Sequence, residues 1–486
     1  MNPTLTPTPT YTTVIGLEVH MQLLLQTKLF APEPATYGAP PNTHISTISL
    51  AHPGTLPVIN KAAITQAIKL GLACHCTITR ENHFARKNYF YPDLPKGYQI
   101  TQDQTPICRG GYIPITTADG VSKDIQLQRI HLEEDAGKSI HDMVPDETLL
   151  DFNRAGVALL ELVTQPDMRT AAEACQFLTE LRKLVRYLDV CDGNMEEGSL
   201  RCDVNISVKR EDADELGQKV EVKNLNSISN AGLAIGYEVE RQIGILEDGG
   251  RILAETRGYD ASLGRTFSQR SKETAVDYRY FPEPDLPPCL VTEEWIEEVR
   301  AGMPLLPREF YEKFMQVYQL SDYDARVLTE VKEVTFFFEE LCGLTSHYKA
   351  AANWVMGPVK AYLNERSVSI EAFPLGAGTL VKLIDLVVQD QVSFSAASQQ
   401  IFPILLDDPL RDPLEVAKAL DVLQEQDEDR VRLLVEEVIA DYPDKVEAYR
   451  NGKKGVLGML MGEVMKRGGG RVKPRVASAL LLGKVG

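Results

Sequence analysis

The chain has 486 residues, of which 44% are hydrophobic and 25% are charged, so it has the composition of an ordinary globular protein with material for roughly two to four domains. No apolar run approaches the length that crosses a bilayer, and a membrane-spanning segment is therefore not expected. The net charge of −18 argues against a protein that coats nucleic acid over its whole surface.

The N-terminus and the cysteines indicate the compartment. Residues 1–11, MNPTLTPTPTY, lack the charged-then-apolar pattern of a signal peptide, and we expect a frayed tail on a cytoplasmic protein. The eight cysteines are scattered, which does not indicate a disulfide framework in a chain of this length. The CHC run at 74–76 looks like half of a metal site, but no second pair completes it, so we interpret these cysteines as reduced thiols.

The first predicted element is a β-strand at 11–22, YTTVIGLEVHMQ. Leu17 and Val19 alternate in it with Glu18 and His20. The two-residue period of a strand sends the aliphatic pair to one face and the acid–imidazole pair to the other. The sequence therefore predicts a strand that buries one face and presents a carboxylate and an imidazole side by side on the other.

The segment 85–102, ARKNYFYPDLPKGYQITQ, follows a predicted helix at about 60–73 and combines cations with aromatic side chains. Arg86 and Lys87 stand next to Tyr89 and Tyr91, and this interleaving suits the base and the phosphate of a nucleotide. We predict that Lys87 and Tyr91 contact a nucleotide. A packed loop that binds no ligand is the alternative interpretation.

Three further segments, at 125–139, 199–208 and 218–227, repeat the pattern of the first strand. Each carries aliphatic residues at one parity and charged or amide residues at the other. The polar residues are Arg129, His131, Glu133, Glu134, Asp135, Arg201, Asp203, Asn205, Ser207, Glu221 and Lys223. The DAGKS run at 135–139 is not a P-loop, because Leu132 stands where the motif requires glycine. The sequence also shows no motif of a self-contained glutaminase or acyl hydrolase.

Two interpretations of these polar faces stay open. They can be the solvent side of an ordinary antiparallel sheet. The alternative is a site for a hard cation and a phosphate, since carboxylate oxygens suit Mg²⁺ and cations neutralise phosphate charge. The oxygen and imidazole donors for such a site are Glu18, His20, Glu133, Glu134, Asp203 and Glu221, and the cations are Lys87, Arg201 and Lys223.

The order of the predicted elements divides the chain into three parts. Short alternating segments, Gly/Pro/Asn turns and helices at about 60–73, 170–188 and 228–246 predict an α+β core with a largely antiparallel sheet over residues 1–293. Beyond that point nearly every segment has a helical pattern, and a softer break falls at 405–413. We therefore predict a helical domain at 294–408 and a small helical tail domain at 409–486.

The C-terminal end is basic although the chain is acidic. Residues 451–486 contain eight lysines and arginines against Glu463 alone. A basic end on an acidic protein indicates local contact with a polyanion, and a solvated basic terminus is the alternative. The residues that we expect to contact nucleic acid are Lys453, Lys454, Lys466, Arg467, Arg471 and Lys473.

Eight stretches of the chain together resemble one family. They are VIGLEVHMQL, RKNYFYPDLPKGYQITQ, HLEEDAGKSIHD, DFNRAGVALLELVTQPDMRT, MEEGSLRCDVNISV, VEVKNLNS, ETRGYD and DYRYFPEPDLPP. In order and spacing they are similar to the GatB/GatE family, in which GatB is a subunit of the aspartyl/glutamyl-tRNA amidotransferase. The resemblance extends from about residue 11 to the C-terminus. Each motif alone is weak, but the ordered set identifies the family.

The resemblance implies a ligase that forms carbon–nitrogen bonds. Such a subunit uses ATP and Mg²⁺ to phosphorylate the side-chain carboxylate of Glu-tRNA(Gln) or Asp-tRNA(Asn). Ammonia from an amidase-type glutaminase, which is a separate chain, then displaces the phosphate, and a heterotrimer is completed by a small third subunit. The family also implies a cradle-like core and a YqeY-type tail that contacts tRNA. Phosphoryl transfer of this kind requires positioning, a divalent metal and cations more than a protein nucleophile.

The resemblance also implies roles for individual residues. The implied metal ligands are Glu18, His20, Glu133, Glu134 and Glu221. The residues that position metal-bound water or substrate are Asp203 and Asn205, and the phosphate contacts are Lys87, Arg201 and Lys223.

The sequence departs from the family pattern at two places. Many members carry a CxC and CxxC zinc set, and its positions hold Ala31, Glu33, Ser46 and Ser49 here, so no structural zinc is expected. Ala158 stands where the family usually has proline, from which we expect only a local backbone effect. Two other function classes stay open: a non-catalytic tRNA-binding scaffold, and a stand-alone metal-dependent phosphohydrolase.

Overall fold

The computed structural model describes residues 10–141, 143–271, 277–424, 428–468 and 472–485. The expected frayed tail, apart from its last residues, lies outside this part of the chain. The described residues form two compact units, Met1–Leu306 and Pro307–Gly486, called here the first and the second unit. A helix at Glu293–Ala301 belongs to the first unit, and its Ile296 and Val299 are buried in the core of that unit. The three-part division of the chain stays a prediction.

The first unit contains a long series of strands with helices between them. The strands are β1 (Tyr11–Gln22), β2 (Thr77–Ile78), β3 (Glu81–Asn82), β4 (Ala85–Asn88), β5 (Tyr98–Thr101), β6 (Cys108–Arg109), β7 (Tyr112–Thr116), β8 (Ser122–Glu134), β9 (Lys138–Ile140), β10 (Leu149–Asp151), β11 (Ala158–Thr164), β12 (Leu200–Arg210), β13 (Val220–Leu225), β14 (Glu255–Asp260), β15 (Arg265–Ser271), β16 (Phe281–Pro282) and β17 (Cys289–Leu290). The helices are α1 (Lys61–Ala73), α2 (Ala171–Tyr187), α3 (Ile228–Glu247) and α4 (Glu293–Ala301).

One large sheet organises the first unit. Its strands follow the order β15-β14-β13-β12-β1-β11-β8-β5-β4-β16, and β6 and β7 also pair with β8. Neighbouring strands on this path are antiparallel except β13 and β14, which are parallel. The prediction of a largely antiparallel sheet is therefore confirmed, and β1 lies near its middle.

The two faces of the sheet differ as the alternation in β1 predicts. Ile15, Leu17 and Val19 are buried, whereas Glu18 and His20 between them are partly exposed. The apolar face packs against α1, α2 and α3, and burial of one such aliphatic side chain contributes about 1.5–3 kcal/mol. The opposite face of the sheet carries the polar side chains.

The three helices on the apolar face begin where the sequence places a capping residue. The side chains of Asn60, Thr170 and Ser227 accept hydrogen bonds from backbone N–H groups in the first turns of α1, α2 and α3. Each cap satisfies a donor that the helix itself leaves without a partner. The predicted helices at about 60–73, 170–188 and 228–246 are confirmed to within about two residues.

The described part of the second unit is built from helices without strands. They are α5 (Pro307–Gln316), α6 (Asp322–Leu328), α7 (Lys332–Leu344), α8 (Tyr348–Trp354), α9 (Lys360–Arg366), α10 (Ala377–Val388), α11 (Phe394–Ala396), α12 (Phe402–Asp407), α13 (Pro413–Ala419), α14 (Glu428–Asp441), α15 (Pro443–Arg450), α16 (Val456–Arg467) and α17 (Pro474–Val485). Short π-helical turns at Val355–Val359 and Ala397–Ile401 and a 3₁₀ turn at Ile370–Ala372 complete the unit.

The last four helices, α14 to α17, share a core of their own. Val435, Leu460, Val464 and Leu481 are fully buried in it. No helix in the described ranges of either unit is both long and apolar enough to cross a membrane.

Candidate active site

The register of the central strands brings acidic and imidazole side chains together on the polar face. Glu161 of β11 is the direct cross-strand partner of His20 on β1 and of His131 on β8. Glu133 lies two residues beyond His131 on β8 and therefore points to the same face. These four residues, named here the acid–imidazole cluster, meet near the middle of the sheet.

The distances within the acid–imidazole cluster are short. His20 Nε2 lies 3.3 Å from Glu161 Oε2 and 3.8 Å from Glu133 Oε1. His131 Nε2 lies 3.5 Å from Glu161 Oε2 and 3.6 Å from Glu133 Oε2. Both carboxylates and His131 are buried, and the side chain of His20 is only 20% exposed. Two carboxylates thus face two imidazoles in a largely dry environment.

The cluster attracts positive charge. Burial by itself lowers the pKa of His20, but the hydrogen bond with Glu161 and the charges of Glu161 and Glu133 outweigh it and raise the pKa to about 9. Burial raises the pKa values of Glu133 and Glu161, yet the neighbouring imidazoles and Lys87 hold both below the ordinary glutamate value. The site therefore favours ionised carboxylates beside a cation.

Lys87 extends the cluster toward a group of aromatic side chains. Burial disfavours its ammonium group, but the charges of Glu133 and Glu161 keep the pKa of Lys87 above its ordinary value. Lys87 Nζ lies 5.1 Å from the centre of the Tyr278 ring. Tyr278 is in turn in edge contact with Tyr89, at 6.2 Å between ring centres. The predicted cation–aromatic loop therefore adjoins the cluster.

A second polar group lies on the neighbouring strands β12, β13 and β1. Lys223 Nζ donates to Asp203 Oδ2 at 2.7 Å and lies 3.1 Å from Glu221 Oε1. Asn205 Nδ2 donates to Glu18 Oε1 at 2.9 Å, and Glu18 is the direct cross-strand partner of Asp203. Five of the predicted residues are thus brought together in one group, beside the acid–imidazole cluster.

The remaining predicted residues of the core take other positions. The Glu134 carboxylate pairs with Lys96 and accepts a hydrogen bond from Ile100 N, so it lies outside the cluster. The physical reason is that adjacent residues of a strand point to opposite faces. Arg201, the cross-strand partner of His20, donates through Nη2 to Asp135 Oδ2 at 2.9 Å. Tyr91 is 59% exposed, with its ring 5.9 Å from that of Tyr89.

Sequence reasoning missed Glu161 as a site residue and did not give His131 a role. Glu161 is the only acid in the strand ALLELVT, all of whose residues are buried. A lone carboxylate in a buried apolar strand is a signal in itself, because a buried charge requires a partner. Tyr278 and Tyr280, whose rings lie 6.0 Å apart, were also missed as neighbours of Lys87.

The segment that lacks the cysteine set holds a buried ion pair. Lys28 Nζ lies 3.4 Å from Glu33 Oε1 and donates to His44 O at 2.7 Å. The side chain of Lys28 is fully buried. Ser46 and Ser49 form hydrogen bonds with Glu33 and, together with its own backbone N–H, help to hold its pKa below the ordinary value although burial opposes this.

The basic residues of the tail are spread over α16 and the turns around it. Lys453, Lys454 and Lys466 are exposed. Arg467 Nη1 lies 2.7 Å from Asp441 Oδ2, so part of its charge is already compensated. Lys473 is partly buried, and Arg471 lies outside the described residues.

Comparison with known proteins agrees with these observations. A family model described as the GatB/GatE catalytic domain matches residues 13–297, and a second, of YqeY type and described as the GatB domain, matches residues 336–485. The second match lies within the helical region and confirms a YqeY-type domain there.

Curated relatives match over nearly the whole chain. A protein of Salinibacter ruber is 44% identical over 98% of this chain and 97% of its own length. A protein of Thioalkalivibrio sulfidiphilus is 45% identical over 97% of this chain and 99% of its own length. Both are named as the same subunit, GatB, of an aspartyl/glutamyl-tRNA(Asn/Gln) amidotransferase. This chain belongs to the family of the GatB subunit of the aspartyl/glutamyl-tRNA(Asn/Gln) amidotransferase.

Proposed function

We propose that the chain activates and amidates the side-chain carboxylate of a tRNA-bound amino acid. The substrate is Glu-tRNA(Gln), Asp-tRNA(Asn) or both, and the products are Gln-tRNA(Gln) and Asn-tRNA(Asn). A carboxylate oxygen attacks the γ-phosphorus of ATP, which forms an acyl phosphate and releases ADP. Ammonia then attacks the acyl carbon, and inorganic phosphate leaves as the amide forms. The observation that carries this proposal is the acid–imidazole cluster, flanked by Lys87 and Arg201, in a member of this family.

The acid–imidazole cluster fits a divalent cation. Donor atoms of His20, Glu133 and Glu161 all lie within 4.8 Å of one another. Ligands around Mg²⁺ are about 3 Å apart when adjacent and about 4 Å apart when opposite, so a small inward movement of the side chains would complete such a set. These three residues would hold the ion, which neutralises negative charge on the phosphates of ATP. Two carboxylates suit Mg²⁺, and the imidazole also suits transition metals.

The other residues of the site would position the reactants. Lys87 and Arg201, both beside the cluster, would contact phosphate oxygens where negative charge collects during transfer. Asp203 and Asn205 would orient the substrate on the adjacent strand, with Lys223 held between Asp203 and Glu221. Glu18 is joined to this second group by Asn205, which makes its role one of support for that group.

The aromatic group beside Lys87 would receive the nucleotide base. Tyr89, Tyr91, Tyr278 and Tyr280 present rings next to the cation that would contact phosphate. Stacking of a base on such rings contributes about 1–3 kcal/mol. This arrangement extends the predicted loop by a second segment, residues 278–280.

The same proposal includes partners and a place for tRNA. An amidase-type glutaminase chain would supply ammonia, and a cytoplasmic heterotrimer would be completed by a small third subunit. The first unit would act as a cradle-like catalytic core, and a helical linker at 294–408 would lead to the tail at 409–486. The exposed lysines Lys453, Lys454 and Lys466 would contact the phosphate backbone of tRNA.

The test is reconstitution with a candidate glutaminase and a candidate small partner, misacylated Glu-tRNA(Gln), ATP and Mg²⁺, with ammonium in place of glutamine. We expect ATP-dependent Gln-tRNA formation that is lost in Glu133→Gln. The control Glu173→Gln changes a carboxylate that pairs with Lys123, and should retain activity. Conversion that survives Glu133→Gln would favour the non-catalytic scaffold. ATP hydrolysis that needs neither charged tRNA nor partner proteins would favour the phosphohydrolase.

A further inference from the structure

Asp135 holds a hub of polar contacts at the end of β8. Its Oδ2 accepts hydrogen bonds from Arg201 Nη2 and from Gln22 Nε2, each at 2.9 Å. Arg154 Nε lies 3.7 Å from the same oxygen. The side chain of Asp135 is only 6% exposed, so this carboxylate is largely withdrawn from solvent and fixed from three sides.

The position of Arg201 links this hub to the acid–imidazole cluster. Arg201 is the direct cross-strand partner of His20, and both side chains stand on the polar face. Gln22, the second donor to Asp135, lies two residues beyond His20 on the same strand and face. Asp135 is therefore joined on both sides to residues that border the cluster.

Arg201 has an unused donor. Its Nε is buried and has no hydrogen-bond partner among the residues that the structure describes, whereas its Nη2 is committed to Asp135. A guanidinium is a rigid planar fork, so fixing one nitrogen fixes the direction of the others. A buried N–H without a partner is costly, and an anion that accepts from it would remove that cost.

We propose that Asp135 is a positioning residue that aims the free N–H of Arg201 at a phosphate group of the nucleotide bound beside the acid–imidazole cluster. Arg154 supports it, since this arginine donates to Ala136 O at 3.0 Å and to Gly137 O and so holds the loop that follows Asp135. The inference rests on the proposed function and adds to it the residue that organises the phosphate contact. Asp135 itself does not touch the reacting groups.

The chain offers a matched control for Asp135. Glu238 on α3 is also a buried carboxylate between two arginines: Arg241 Nη2 donates to it at 2.6 Å, and Arg257 Nε lies 3.4 Å away. Arg257 is the strand partner of Val222, so this second hub lies on the apolar side of the sheet, away from the cluster. Glu238→Gln therefore removes the same chemistry without reaching the site.

The experiment compares wild type, Asp135→Asn, Asp135→Glu and Glu238→Gln in the reconstituted complex. Asp135→Asn should raise the KM for ATP by about tenfold and leave the KM for charged tRNA unchanged, because one charge-assisted phosphate contact is misaligned. Asp135→Glu should recover part of this loss. Glu238→Gln should change neither KM. Equal effects on both KM values, or an unchanged KM for ATP in Asp135→Asn, would overturn the proposal.

A double-mutant comparison and a binding measurement complete the test. If Asp135 acts through Arg201, Asp135→Asn should add little to Arg201→Ala, and additive effects would contradict the proposal. Calorimetric titration of the isolated chain with tripolyphosphate should show weaker binding in Asp135→Asn but not in Glu238→Gln. If that difference appears while the wild-type complex fails to amidate charged tRNA, the phosphate contact stands and the proposed function falls. If tripolyphosphate binding is equal in all variants, the positioning role falls by itself.

Discussion

Glu161 and His20 face each other across β11 and β1, with Glu161 Oε2 3.3 Å from His20 Nε2. The same carboxylate oxygen lies 3.5 Å from His131 Nε2 on the other side of β11. One acid in the middle of the sheet therefore joins the imidazoles of two different strands. This makes Glu161 the central member of the acid–imidazole cluster, although it stands in the most apolar strand of the site.

Glu161→Gln should reduce ATP-dependent amidation by at least about 100-fold, because it removes a charged donor from a buried cation site. It should also weaken binding of Mn²⁺ to the isolated chain, measured by calorimetry. Glu173→Gln serves as the control. Full activity and unchanged Mn²⁺ binding in Glu161→Gln would show that the cluster is structural.

Tyr278→Ala should raise the KM for ATP by about tenfold, since loss of one stacking partner for a base costs about 1–3 kcal/mol. Tyr278→Phe keeps the ring and should behave as wild type. Phe90→Ala provides a second control, because Phe90 is 87% exposed and its ring lies beside Gly97. Steady-state kinetics with varied ATP measures all three. A rise only in the KM for charged tRNA would assign these rings to the end of the tRNA instead.

Lys28→Met should lower the free energy of unfolding of the first unit by about 3–5 kcal/mol, because it leaves the buried Glu33 carboxylate without its counter-ion. Urea unfolding followed by circular dichroism measures the loss. Lys418→Met removes an exposed partner of Glu415 and should cost under about 1 kcal/mol. A Lys28→Met loss as small as that of the control would mean that the pair contributes nothing.

The contribution of Glu33 should depend on pH. Although burial opposes it, hydrogen bonds from Ser49, from its own backbone N–H and from Ser46, with the charge of Lys28, lower its pKa below the ordinary glutamate value. The folded state therefore holds the proton less tightly than the unfolded state. Its stabilising effect is complete above the ordinary pKa of about 4.3 and is lost as the pH falls through the lowered value. Urea unfolding at pH 7 and at pH 3 should show a larger difference between wild type and Glu33→Gln at pH 7.

Changing Lys453 and Lys454 together to Ala should weaken tRNA binding and reduce the slope of log K against log salt by about one to two. Arg467→Ala should have a smaller effect, because Asp441 and Glu463 already lie near its guanidinium. Filter binding over a range of salt concentrations measures both. An unchanged slope in the double variant would place the tRNA contact elsewhere.

The local alternation of residues predicted much of the site, and the pairing of distant strands decided the rest. Glu18, His20 and Glu133 could be assigned to polar faces from the two-residue period alone. Glu161 could not be assigned in this way, because its strand has no polar face and its role depends on which strands lie beside it. The same period, applied strictly, separates Glu134 from Glu133, yet the run of three acids had suggested a joint role.

The hub at Asp135 depends on long-range contacts of another kind. Asp135 receives Gln22, Arg154 and Arg201 from three separate segments. Parity and composition carry no information on such a meeting, since it depends on where a strand ends and how the following loop returns. The helices, by contrast, could be placed from periodicity and capping residues, both of which are local.

Glu18 and His20 stand on one face of a central strand, two residues apart, so the distance between the two polar groups is set by the backbone repeat of about 6.6–6.8 Å and not by side-chain choice. The strand acts as a ruler. Insertion of one residue between Glu18 and His20 would turn one of them into the aliphatic core and shift the other out of register with its partner strands. No substitution elsewhere could repair that change, so in this segment the length of the chain is as tightly constrained as the identity of its residues.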